Sequence, residues 1–441
     1  MSESTLDLYH HAFRTLVKTL PGAEFGWLRS ARRHAFERFE ALHFPTTRLE
    51  DWKYTNVAPI GQRTWHFASP RGDNVDVSSI VDDLVLDQTG ARLVFVNGRH
   101  APKLSRMQGL PEGTFVGSLT RALREMPERF EPLIARETPH DGFAALNTAF
   151  LSDGYVVVLP AGCRIETPLQ MLFIADEAGL AMHPFNAVFA ERGSRCAVVE
   201  QFVGIADDAY LMNAVTRIVA AEEADVDHCR IQEEGRRAFH IARVDAAQQR
   251  ASHVASHSFA FGSMLSRAQI DVRFGGTDAR TDLNGLYFAR ARQHMDHHTR
   301  IEHELPRCTS REHYRGVLDG ASHGVFDGRV IVHQGAQQTD AHLENQNLLL
   351  SRDAEIDTKP QLEIYADDVK CTHGATVGRL DENQLFYLRA RGIDEPVARA
   401  TLVWAFARAS VERVGADPVR DRLTKLLLAR TPEPERIREL T

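Results

Sequence analysis

The sequence predicts a mainly β protein, with a β-solenoid core held between helical N- and C-terminal regions. Between residues 151 and 378, short β-type runs follow one another, each broken by Gly, Asp or Asn. Small-residue turns that open alternating runs recur at Gly193-Ser194, Glu223-Ala224, Arg250-Ala251 and Asp278-Ala279. Their spacing of roughly 26–30 residues suits one coil of a solenoid. Both ends of the chain instead read with helical periodicity. Almost no helical pattern interrupts the core, which excludes βαβ winding. The repeat carries no strict hexapeptide signature, so a sandwich of two stacked sheets stays open as the alternative.

Residues 1–150 form the first, mainly helical region. Leu6, Tyr9, Phe13, Leu16, Val17 and Leu20 recur at helical spacing, and Pro21-Gly22 ends that run. A second helix is predicted over Phe25 to Leu42, with Leu28, Ala31, Ala35, Phe36 and Phe39 on one stripe. A short strand is expected from Arg92 to Asn97, and another helix from about Ser118 to Arg136. The β core, 151–378, contains runs such as Tyr155 to Leu159, Leu169 to Ile174, Cys196 to Phe202, Val226 to Ile231, His253 to Phe259 and Gln361 to Ile364. Helix resumes near Asp381 in a C-terminal region, 379–441. Arg391-Gly392 is a helix stop, Asp394-Glu395-Pro396 a new start with a capping aspartate, and Pro418 opens a last helix.

Composition narrows the function. The 441 residues are 43% hydrophobic and 25% charged, ordinary for a folded chain with a sizeable core. No apolar run approaches the roughly 18 residues of a membrane span, and Met1 to Leu20 lacks the pattern of a signal peptide, so a cytoplasmic protein is expected. The net charge is −8, and acidic residues break up almost every basic cluster, which argues against nucleic acid as a partner. Five cysteines without a C-x-x-C pair argue against disulfides and zinc ribbons. There is no phosphate loop, no G-x-G-x-x-G, no G-x-S-x-G and no H-E-x-x-H.

Two groups of residues have ligand chemistry. If His294 to His303 is a strand, His294, Asp296 and His298 project from one face, as metal ligands or as polar decoration bonded to neighbouring coils. Cys371 and His373, two residues apart on an extended segment, also share a face. Sulfur and imidazole suit iron, zinc or copper, but two ligands need others from elsewhere in the fold or another subunit. A buried cysteine beside a surface histidine is the alternative.

The stretch from Gln293 to Gly392 resembles the SufB/SufD family of iron–sulfur cluster assembly proteins. The resemblance rests on QHMDHHTRIEH (293–303), SREHYRGVLDGASHGVFDGRVIVHQGAQQTDAHLENQNLLLS (310–351) and AEIDTKPQLEIYADDVKCTHGATVGRLDENQLFYLRARGI (354–393). Near the N-terminus, the Glu50-Asp51-Trp52-Lys53-Tyr54-Thr55 element and the form of Asp367 to Gly378 are similar to the SufD branch rather than SufB.

The resemblance implies a right-handed parallel β-helix flanked by N- and C-terminal helical regions, acting as a non-catalytic scaffold. It implies pairing with a SufB-like paralogue through the β-helix, and a SufC-like ABC ATPase docked on the C-terminal helices. That ATPase supplies the energy, in keeping with the absent phosphate loop. An iron–sulfur cluster would form transiently at the subunit interface, with none tightly bound to the isolated chain, which could pair with itself. His373 and Cys371 are implied at that interface site; His294, Asp296 and His298 are kept as structural. ATPase docking is expected between Asp381 and Phe406, where Leu385, Phe386, Tyr387 and Phe406 offer apolar surface. The rivals are a SufB-type scaffold that holds the cluster itself and a β-helix polysaccharide lyase or hydrolase.

Overall fold

A computed structural model describes residues 3–67, 77–86, 90–135, 138–205 and 207–440. Two long sheets face each other across one core, and consecutive core strands alternate between them. One sheet runs through Leu169–Ala175, Arg195–Gly204, Asp225–Glu233, His253–Ala260, Arg280–Ala289, Thr309–Leu318, Asp340–Leu349 and Lys370–Gly378. The other runs through Tyr155–Leu159, Phe185–Ala190, Leu211–Ala220, Phe239–Gln248, Leu265–Phe274, His294–His303, His323–Val332 and Glu355–Ile364. Every neighbouring pair in these two series is parallel, so the chain winds as a parallel β-solenoid of about 8 coils. This settles the choice between solenoid and sandwich.

The predicted turns are one corner of the solenoid. A left-handed residue stands there in successive coils: Gly162, Gly193, Glu223, Ala251, Asp278, Arg307 and Gln338, with φ between 54° and 72°. Such a conformation suits glycine and strains other residues. It persists because each N–H reaches the next coil: Glu223 donates to the Arg250 carbonyl at 3.0 Å, Ala251 to Thr277 at 2.9 Å and Arg307 to Gln337 at 2.9 Å. The residue after several of these turns is small and buried, and its hydroxyl bonds a carbonyl three residues back. Ser194 donates to Glu191 at 2.6 Å, Ser252 to Gln249 at 2.7 Å and Thr339 to Ala336 at 2.8 Å.

Helices cover both outer faces. Gly26–Leu42 and Gly142–Phe150 bring Phe36, Phe39 and Phe143 onto Leu211, Phe239, Ile241 and Leu265 of one sheet. Glu395–Val411 and Asp417–Arg430 bring Val403, Trp404, Leu423 and Leu427 onto Ile231, Phe259, Leu286 and Val317 of the other. The region expected as one helix from Ser118 to Arg136 is broken. Leu119–Glu125 stops before Pro127, which lacks the N–H that would continue it, and a short turn leads to Glu131–Ile134; position 136 lies outside the described residues. Asp394 does stand at a helix start, but its carboxylate pairs with Arg436 at 3.1 Å rather than capping. No described helix is long and apolar enough to cross a membrane.

The two ends of the solenoid differ. At its start the N-terminal region adds Ala91–Val96 to one sheet and Phe115–Ser118 to the other, covering the first coil. At its finish Glu355–Ile364 and Lys370–Gly378 are the last strands of their sheets, and their residues are half-buried or exposed throughout.

Candidate functional site

Cys371 and His373 stand on the last strand of the uncovered end. Their register partners in the preceding coil are Ala341 and Leu343, both buried in the core between the sheets. Side chains alternate along a strand, so Cys371 and His373 face the interior and form part of its final layer. Cys371 is half-buried against the core, whereas no further coil among the described residues covers His373, which is exposed. The same alternation puts Ile356, Thr358, Leu362 and Ile364 on the inner face of the opposite strand. Ile364 is 42% exposed and Val377 49%, so the layer is an apolar surface bearing one thiol and one imidazole. Burial, and secondarily Asp340, raise the Cys371 thiol above its ordinary value. The free thiol is therefore protonated at neutral pH and needs a cation to displace its proton.

The other cysteines are also free: Cys196, Cys229 and Cys308 are buried and Cys163 is half-buried. The second candidate group has a structural role. His294, Asp296 and His298 lie on the outer face of their sheet, where the segment Glu50 to Thr55 docks on them. Thr55 Oγ1 donates to Asp296 at 2.5 Å and lies 2.9 Å from His294 Nε2. Asp296 also pairs with buried Arg267 and with His298 at 2.9 Å, and the Arg267 guanidinium stacks 4.0 Å from the Trp52 ring centre. Burial would raise the Asp296 carboxyl, but Arg267 and His298 outweigh it and hold it far below the usual carboxylate range. Lys359 closes the contact with an ion pair to Glu50 at 2.6 Å.

Of the four apolar residues expected on a docking surface, two are available. Phe386 is 74% exposed and Tyr387 55%. Leu385 is buried, because the helix Glu382–Ala390 turns it inward, and Phe406 is half-buried with the Arg315 guanidinium 4.9 Å from its ring centre. Leu385 is therefore not on the exposed surface where the sequence places it. A cavity of about 580 Å³ on the outer face of the other sheet contains none of the predicted site residues. Its charges neutralise one another: Arg217 and Arg243 pair with Asp245 at 2.6 and 2.8 Å, and Arg243 also with Asp271.

Sequence reasoning missed the polar groups inside the solenoid. Glu200 accepts from Tyr155 at 2.8 Å and Thr216 at 2.6 Å and lies 3.3 Å from His228. Farther along, Arg230 donates to Ser258 at 2.7 Å, and Ser258 lies 3.0 Å from His297. Asn345 donates to the Tyr287 hydroxyl at 3.1 Å and accepts from Thr358 at 2.8 Å, which carries polar contacts into the layer that holds His373. Only strict period-two counting through such polar segments could have found them.

Comparison with known proteins agrees with this architecture. Residues 3–171 match the SufBD protein N-terminal region and residues 173–406 the SufBD core domain of the SUF system for iron–sulfur cluster assembly. The iron–sulfur cluster assembly protein SufD of Escherichia coli is 30% identical over 98% of each chain. A SufBD family iron–sulfur cluster assembly protein of Synechocystis is 30% identical over 93% of this chain and 92% of its own. The SufD protein of Bacillus subtilis is 25% identical over 92% of this chain and 94% of its own.

Proposed function

The chain belongs to the SufBD family of iron–sulfur cluster assembly proteins, and on that premise we propose that it is a non-catalytic, SufD-type scaffold subunit of a cytoplasmic SufBCD-type complex. The observation that carries this reading is the uncovered end, an apolar inner layer framed by two strand edges. Exposed edges of this kind invite pairing with another chain. A SufB-like paralogue meeting this end would bury Ile364 and Val377 and extend both sheets. Cys371 and His373 would then face it across the seam. The nascent cluster is the cargo: this chain offers it one sulfur and one nitrogen, and the partner completes the ligand set. Phe386 and Tyr387, on the helix that follows the end strand, are the contact for a SufC-like ABC ATPase.

The test is co-expression with the paralogue and the ATPase. His373→Ala and Cys371→Ala should leave the complex assembled while lowering the iron and sulfide it accumulates; normal accumulation removes either residue from the ligand set. Phe386→Asp with Tyr387→Asp should abolish ATPase association, and retained association moves the docking surface elsewhere. A stable brown cluster reconstituted on this chain alone would favour the SufB-type reading. The same open end favours a homodimer when no paralogue is present.

A further inference from the structure

On the outer face of the sheet that ends at Lys370–Gly378, His313, His342 and Glu344 converge. One ligand atom from each lies within 4.8 Å of the other two, and all three residues are half-buried. The register pairs His313 with Glu344, and His342 is the next outward-facing residue on the Glu344 strand. Two of the three are held from outside the group. Thr372 Oγ1 lies 2.8 Å from His342 Nδ1, and Gln346 donates to Glu344 Oε1 at 2.6 Å. An imidazole whose Nδ1–H is bonded keeps its Nε2 lone pair free, and a carboxylate bonded at one oxygen presents the other; these are the outer contacts that metal ligands make. Glu344 Oε2 is indeed turned to His313, 3.4 Å from Nδ1.

The surroundings agree with a cation. Gly374 stands opposite Glu344 on the last strand, where a Cβ would meet nothing within 4 Å, so the approach is open. Two local guanidiniums are engaged elsewhere: Arg311 bonds Asp340 at 2.6 Å and Arg315 bonds the Phe406 carbonyl at 2.6 Å. A second such group, Glu302, Glu304 and His333, is weaker, because Arg273 already lies 4.0 and 3.6 Å from its two glutamates.

We propose that His313, His342 and Glu344 form a binding site for a first-row divalent transition metal of the Zn(II) or Fe(II) class. Two imidazoles and a carboxylate with open positions are the donor set such ions take. At metal–ligand bonds of about 2.1 Å the ligand atoms stand about 3 to 3.5 Å apart, so side-chain adjustments of about 1 Å complete the site. The metal would bridge two coils and, through Thr372, brace the strand that carries Cys371 and His373. The site is independent of the role proposed for those two residues.

The experiment therefore uses the full chain with Cys371→Ser and His373→Ala, made metal-free and titrated anaerobically with Co(II). One Co(II) per chain is expected, with no thiolate charge-transfer absorption, displaced by Zn(II). His342→Ala and Glu344→Gln should each weaken binding by at least about 100-fold, and Thr372→Val by about 10-fold. Circular dichroism without metal should be unchanged in all three, since these side chains lie on an outer face. Zn(II) should raise the thermal midpoint of the parent but not of Glu344→Gln. Absence of Co(II) binding, undiminished binding in His342→Ala and Glu344→Gln, or a thiolate band would overturn the site.

Discussion

Glu312 is completely buried inside the solenoid, and desolvation raises its carboxyl to about 7 against the opposing Thr299 hydroxyl. A folded chain that binds this proton more tightly than the unfolded one loses stability as pH rises from about 4.5 to 7. Glu312→Gln should therefore stabilise the protein at pH 8, by up to about 3 kcal/mol, and have little effect at pH 4.5. Chemical denaturation at the two pH values tests this; equal effects would refute it. Asp296 behaves oppositely, since removing its charge strands buried Arg267. Asp296→Asn should cost about 3–5 kcal/mol and Thr55→Val about 1–2 kcal/mol in the same measurement.

Among the elements, the left-handed corner and the coil ladders dominate. Ala251 holds φ 54° without the freedom of glycine. Ala251→Gly should raise stability by about 1 kcal/mol, while Gly193→Val at the equivalent corner should lower it; thermal unfolding reads both. The ladder Asp225–His253–Asp282 joins three coils on the outer face at 3.0 and 2.9 Å. Burial alone would lower the imidazole, but the two carboxylates raise it to about 9. Its contribution is complete below about 6.5 and fades as pH climbs through 9, so His253→Gln should be most damaging just below pH 6.5, where both carboxylates are still ionised, and nearly silent at pH 10. Strands such as Tyr155–Leu159 were legible because every residue is apolar and buried. Thr309–Leu318 and Asp340–Leu349 were not, because Glu312, Asn345 and Asn347 stand where alternation calls for apolar side chains.

For the molecule as a whole, the asymmetry of the ends is decisive. The first coil is closed by Ala91–Val96 and Phe115–Ser118, while the last keeps its edges and its apolar layer exposed. The isolated chain should therefore associate through the last coil. Sedimentation should show a dimer that Ile364→Lys with Val377→Lys converts to monomer without loss of strand content; an unchanged dimer would place the contact elsewhere.

What the residues alone determined is the class of fold and the family. Periodicity in chain-local runs, turn chemistry and long shared segments need no knowledge of distant contacts. They also put Cys371 and His373 on one face, since alternation along a strand is local geometry. Only the tertiary structure decided which face that is, that it lies on the last coil of the described residues, and that Leu385 is turned inward. The convergence of His313 with His342 and Glu344 was invisible for the same reason. Residues about thirty apart become neighbours only when coils stack, and burial is a property of what lies above a residue rather than beside it in the chain.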